Sequence, residues 1–122
     1  MVPWRSLTLL LLGIDARVLI GYNSHRNKLQ ARFYIDPVTD LPHIFGHGVM
    51  DEEVIEVLER PAEDRSGREG SRVALGQTVS GRFLRIIYVP DPEPDSVFVI
   101  TAYDLTGKAL AAFRRRRRKK RQ

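Results

Sequence analysis

The chain has 122 residues, 43% of them apolar, and a formal net charge of +5; that length holds one domain at most, with apolar material for a small core. It contains no cysteine, which excludes disulfides and thiolate metal sites and suits a reducing, cytoplasmic setting. Eight consecutive basic residues from Arg114 to Arg121 exceed the whole positive balance: without them the chain carries −3, so the basic character belongs to this run and the remainder is mildly acidic.

The first thirty residues hold an apolar run from Leu7 to Ile14. It is shorter than the ~20 residues that a bilayer span requires. One arginine ahead of it and no A-x-A site make a poor secretory signal. Patterning changes at Ala31, so residues 1–30 are expected to be a poorly ordered extension or a start codon assigned too early. The domain is then expected over 31–113, followed by a basic tail over 114–122.

"ARFYID" from Ala31 to Asp36 alternates and is rich in aromatic and β-branched types, which predicts a short strand. "PVTDLP" reads as a turn, and "HIFGHGV" as a short element stopped by Gly48. "MDEEVIEVLERP" predicts a helix, with Asp51 placed to cap, Glu52 and Glu53 at its positive end, and Arg60 and Pro61 closing it. Val54, Ile55, Val57 and Leu58 give it an apolar stripe. "AEDRSGREGS" reads as a polar loop. Three strands follow, "RVALGQTV", "RFLRIIYV" and "SVFVITAY". Ser80-Gly81 signals a hairpin between the first two, and "PDPEPD" separates the last two. The expected fold is therefore α+β: a small antiparallel sheet, made of a three-strand meander plus an N-terminal strand. One main helix packs on a face, and a basic C-terminal helix or arm ends the chain.

"HGVMDEEVIEVLERP", then "VALGQTVSGRFLRIIYV", then "VFVITAYD" resembles the BrnT-type toxins and their uncharacterised relatives in the RelE-like toxin superfamily. The resemblance covers roughly residues 31 to 118, by the strand–helix–meander order. It implies a compact ribonuclease-like domain without a metal, acting on RNA in stress control and silenced by a cognate antitoxin. Where BrnT-type toxins commonly end the last strand in Ser-Ala-Arg, this chain reads Thr101-Ala102-Tyr103. The arginine expected to face phosphate is a tyrosine, which brings the chain closer to the uncharacterised relatives.

Metal-free RNA cleavage needs a base for the 2′-hydroxyl, cations for the developing phosphorane and an acid for the leaving oxygen. His47 matches the family's His-Gly-Val, and histidine titrates near neutrality; the competing reading is a histidine that hydrogen-bonds the turn before the helix. His43 lies four residues earlier, on the same face if the segment is helical, but no third ligand stands at zinc spacing and no metal is expected. Arg85 interrupts the apolar run "FLRIIYV", so its charge must meet a partner, a ligand or a cleft; an ion pair with Glu53 or Glu56 is the equal alternative. Arg68, Arg72 and Arg82 are further candidates to clamp phosphate, with Arg82 and Arg85 at opposite parity on one strand. Tyr103 is placed either to stack on a base or hydrogen-bond a phosphate, or to pack at a strand end. No glycine pattern fits a nucleotide-phosphate loop.

Leu110 and Phe113 would dock a terminal helix, while Arg114, Arg115, Arg116, Arg117, Arg118, Lys119, Lys120 and Arg121 repel one another, so the last turns are expected to fray into a solvated arm unless phosphates are present. Such a run gives salt-sensitive, sequence-blind affinity for nucleic acid. The expectation is an RNA-acting, toxin-like domain of a toxin–antitoxin system, a metal-independent endoribonuclease if active. The alternative is a non-catalytic RNA- or protein-binding module of the same fold. RNA and a cognate antitoxin are the expected partners, with no cofactor and no membrane.

Overall fold

Along Phe83–Pro90 the side chains alternate in burial, and the two sets go to different cores. Leu84, Ile86 and Tyr88 pack with Val54, Ile55 and Val57, whereas Phe83 and Ile87 pack with Leu110 and Phe113. Successive side chains on a strand point to opposite faces, so this strand lies in the middle of a sheet with a helix on each side. The computed structural model describes residues 29–121; the reading of the first residues as an extension or mis-assigned start lies outside the described residues, Leu29 and Gln30 excepted.

The fold is α+β. Its elements are β1 (Gln30–Phe33), a 3-10 turn (His43–His47), α1 (Asp51–Glu59), β2 (Glu63–Ser66), a second 3-10 turn (Arg68–Gly70), β3 (Arg72–Gln77), β4 (Phe83–Pro90), β5 (Ser96–Asp104) and α2 (Gly107–Arg121). The sheet order is β1-β5-β4-β3-β2. β2 to β5 form an antiparallel meander, and β1 adds to β5 in parallel, with Gln30 opposite Ser96 and Phe33 opposite Val99. The sheet is thus mostly antiparallel, as the sequence predicts, and besides the parallel pairing of β1 there are three departures.

The first is β2, which falls in the segment read as a polar loop. Its four residues, Glu-Asp-Arg-Ser, carry no apolar alternation and are mostly exposed. Backbone pairing with β3 holds it, and charge on an edge strand opposes further pairing. The second is the start of β1, at Gln30 instead of Ala31, with Leu29 packed against the core. The third is the basic run, which is helical to Arg121 and not frayed. Phe113 is 3% exposed in the second core, Arg116 reaches Glu63 at 2.6 and 2.9 Å, and cations near a helix C-terminus complement its dipole.

α1 begins as its acids predict, but Met50 occupies the cap position and Asp51 is the first helical residue. Glu53 accepts the Met50 backbone N–H at 3.0 Å. α1 lies so close to β3 that a Cβ on Gly76 would stand 2.9 Å from Val57 Cγ1. The register of β4 on β5 shifts once: Ile87 faces Thr101 while Tyr88 faces Val99. Ile100 is the extra residue of this bulge. Among the described residues no helix is long and apolar enough to cross a membrane.

Candidate functional site

β1 ends at Phe33, and the chain turns through Pro37–Asp40 and comes back against the same edge. The Tyr34 N–H still bonds Val99 O at 3.0 Å, and the His43 N–H bonds Tyr34 O at 2.8 Å. The 3-10 turn that follows lies along β5. It stops at Gly48, whose φ of 72° is a left-handed conformation that glycine adopts without steric cost. His43 and His47, on one side of this turn, meet edge to face with centroids 5.1 Å apart. Tyr34 lies 6.0 Å beyond His43, and His47 meets Tyr103 at 5.9 Å. Four rings therefore run in series along the sheet edge.

The row continues onto the sheet. Tyr103 stands directly across from Arg85, and directly opposed residues of an antiparallel pair project on the same face. The bulge at Ile100 makes this possible: Val97 and Val99 point into the α1 core, and after one extra residue Ala102 does so instead, which leaves Thr101 and Tyr103 on the α2 face. His47, Tyr103 and Arg85 are thus gathered in one neighbourhood.

Arg85 has none of the ion pairs open to it. Glu53 accepts from Arg82 at 3.0 Å, and Glu56 accepts the Val79 N–H at 3.0 Å. Arg85 is half-buried, its Nε is shielded from solvent, and among the described residues no hydrogen bond reaches that nitrogen. A desolvated guanidinium nitrogen without an acceptor costs free energy.

Arg82 does the opposite: its guanidinium is committed to partners within the protein. It donates to Asp104 Oδ1 at 2.6 Å, Asp104 Oδ2 at 3.2 Å, Glu53 Oε1 at 3.0 Å, Gly48 O at 2.7 Å and His47 O at 3.5 Å. These bonds raise its own pKa and hold the Asp104 carboxyl below the usual range. Its role is to position the histidine turn against the end of β5. Arg72 is also committed: it opens β3 and donates to Asp64 Oδ1 at 2.9 Å. The Tyr88 hydroxyl donates to the same carboxylate at 2.5 Å, and burial, with that bond, pushes the Tyr88 phenol up to about 12. Arg68 sits exposed on the second 3-10 turn.

Within α2 the basic side chains differ. Arg114 lies over the Phe83 ring at 5.0 Å, and Arg116 is bound to Glu63, whose carboxyl it holds below the usual range. Arg117 is half-buried, Arg115, Arg118, Lys119 and Lys120 are exposed, and Arg121 closes the helix. Sequence reasoning missed Tyr34 as part of the ring row and weighed His43 only as a metal ligand; the signal was the i, i+4 histidine pair following an aromatic strand end.

Residues 43–104 match a family described as a domain of unknown function (DUF4258). The matched span runs from His43 to Asp104, so it contains His47, Arg85 and Tyr103 and leaves out β1 and the basic helix. No curated protein and no solved structure matches the chain.

Proposed function

We propose that this chain, which belongs to the DUF4258 family, is an RNA-acting domain of the toxin–antitoxin kind, a metal-independent endoribonuclease with its reacting groups at the β5 edge. The observation that carries the reading is the convergence of His47, Tyr103 and the unpaired Arg85. The resemblance to BrnT-type toxins supports it, and so does the basic helix.

In such a cleavage the 2′-oxygen gives its proton to a base and bonds to phosphorus. The bond from phosphorus to the 5′-oxygen breaks, and the leaving oxygen takes a proton. His47, exposed beside the sheet, is the group for proton transfer. Arg85 offers a fixed positive charge to the phosphorane, and a charge held in place needs no reorganisation during reaction. Tyr103 lies between the two with a hydroxyl for a phosphate oxygen, and the ring row of His47, His43 and Tyr34 is a platform on which unpaired bases stack. α2 adds sequence-blind affinity for the backbone. The partner this reading implies is a cognate antitoxin that covers the ring row.

Purified full chain should cut single-stranded RNA in EDTA, and His47→Ala or Arg85→Ala should each slow cutting about 100-fold with the thermal transition retained. Undiminished cutting in both variants removes these residues from the mechanism. The exposed guanidinium groups of α2 favour a second reading, a non-catalytic RNA-binding module. Salt-sensitive RNA binding by a parent protein that never cuts would establish it in place of the first.

A further inference from the structure

Beside α2 is a cavity of about 380 Å³ lined by Arg60, Arg114, Arg117, Arg118, Phe83 and Phe113, among others. Its lining includes no carboxylate and none of His47, Tyr103 or Arg85. Three of the four arginines come from one helix at i, i+3 and i+4, positions that share a face. The fourth comes from the residue that ends α1. Among the described residues none of the four guanidinium groups has an ion pair, and Arg114 rests on the Phe83 ring. Arg116, one residue from Arg117, shows the contrast: it is turned to the other side and neutralised by Glu63.

Four like charges around one concavity repel one another, and α1 offsets them in part, through the Glu59 carboxylate near Arg60 and the partial negative charge of its C-terminal end, about half a unit. The cavity has the size of a small-ligand pocket, with a phenyl floor and a cationic wall. Charge then selects among anions. A phosphodiester within a strand brings one negative charge. A terminal phosphate brings about −1.5 to −2, and each further phosphoryl group adds roughly one more to that figure. Three phosphoryl groups in line therefore match four guanidinium groups, and a concave wall suits the end of a chain better than a strand passing over it.

We infer that this cavity binds a terminal polyphosphate group carried on a nucleotide. Two sources share that chemistry, a free nucleoside triphosphate and the 5′-triphosphate end of an RNA. The cavity is a second site, and binding there does not depend on cleavage at His47.

The test is calorimetric titration of the full chain at about 0.15 M salt, where fields from distant exposed charges are screened. The titrants are inorganic tripolyphosphate, ATP, one short RNA with a 5′-triphosphate or a 5′-hydroxyl, and a short oligoglutamate. Tripolyphosphate should bind with one site per chain. The double variant Arg60→Gln, Arg117→Gln should lose at least about tenfold in affinity, since bidentate guanidinium–phosphate contacts are among the strongest hydrogen bonds. Lys119→Gln, Lys120→Gln removes the same charge outside the cavity and should lose less than about threefold, as a screened contribution does. Tight binding of ATP assigns the free nucleotide, and tight binding of the 5′-triphosphate RNA alone assigns the transcript end. Equal losses in the two double variants would show a diffuse field and overturn the site. So would absence of saturable tripolyphosphate binding, or tighter binding of oligoglutamate.

Discussion

The two faces of the sheet are built from the same strands but differ in kind. On the α1 face a continuous set of apolar side chains and the buried Tyr88 runs from Ala31 and Phe33 through Ile86 to Ala102, and the charges at its margin, Arg72 with Asp64 and Arg82 with Glu53 and Asp104, are ion-paired. On the α2 face apolar patches alternate with charge. Phe83 and Ile87 flank Arg85 on β4, and Arg32 lies over Phe98 at 5.3 Å while pairing with Asp91. The first face holds the molecule together. The second also carries Arg32 and Arg85, each with a buried guanidinium nitrogen that has no hydrogen-bond partner among the described residues, a cost in stability that an apolar core avoids.

The largest test of that difference is truncation on each side. Leu84→Ala on the α1 face and Phe113→Ala on the α2 face should each lose about 3 kcal/mol or more, since both side chains are fully enclosed. Denaturant unfolding measures both. If Phe113→Ala lost less than about 1 kcal/mol, α2 would be an appendage and the second core nominal. Ending the chain at Ala112 is for the same reason no clean way to remove the basic residues: it takes Phe113 and the Arg116–Glu63 pair with them.

Two arginines three residues apart sharpen the comparison. Arg82→Leu breaks bonds to two carboxylates and two carbonyls and should destabilise by about 2 kcal/mol, discounted for partial exposure. Arg85→Leu removes a cation whose Nε has no acceptor, so stability should stay level or rise by up to about 1 kcal/mol while RNA cleavage falls. Equal destabilisation by the two changes would mean that Arg85 is structural.

The smallest effect is acid sensitivity. Asp104 and Glu63 are held below the ordinary carboxylate range by Arg82 and Arg116. A depressed folded-state pKa contributes stability that is fully present above the unfolded value, about 4, and is lost as pH falls through the lower folded value. Unfolding free energy should therefore decline below about pH 5, and less steeply in Asp104→Asn and Glu63→Gln. Parallel pH profiles for parent and variants would remove both pairs from the acid response.

Much of this was legible in the sequence. The apolar stripe of α1, the hairpin at Gly81, the final strands and the special position of Arg85 follow from spacing and composition. β2 was not legible, because an edge strand held by backbone bonds needs no apolar alternation. The face that Tyr103 takes depends on one bulged residue, and no local pattern marks Ile100 as the place. That Glu53 meets Arg82 and not Arg85 was not legible for a related reason: parity separates the faces of the two arginines, but only the tertiary position of the Gly48 turn decides which of them meets Glu53. The helical basic run depended on Glu63, fifty-three residues earlier than Arg116.

The parallel pairing of β1 with β5 has a kinetic consequence. β2 to β5 are joined by short connections, so their contacts close small loops. β1 must find residues about sixty-six positions later, Gln30 opposite Ser96, and parallel pairing across such a loop is slow because closure entropy precedes any gain. β5 has to be in place before β1 has an edge to join, and the turn carrying His43 and His47 is tethered directly behind it. The order of assembly is then meander first and histidine turn last. The turn should accordingly be the first part to open from the native state, with its amides exchanging faster than those of β4. The edge proposed for chemistry is also the edge the chain completes last.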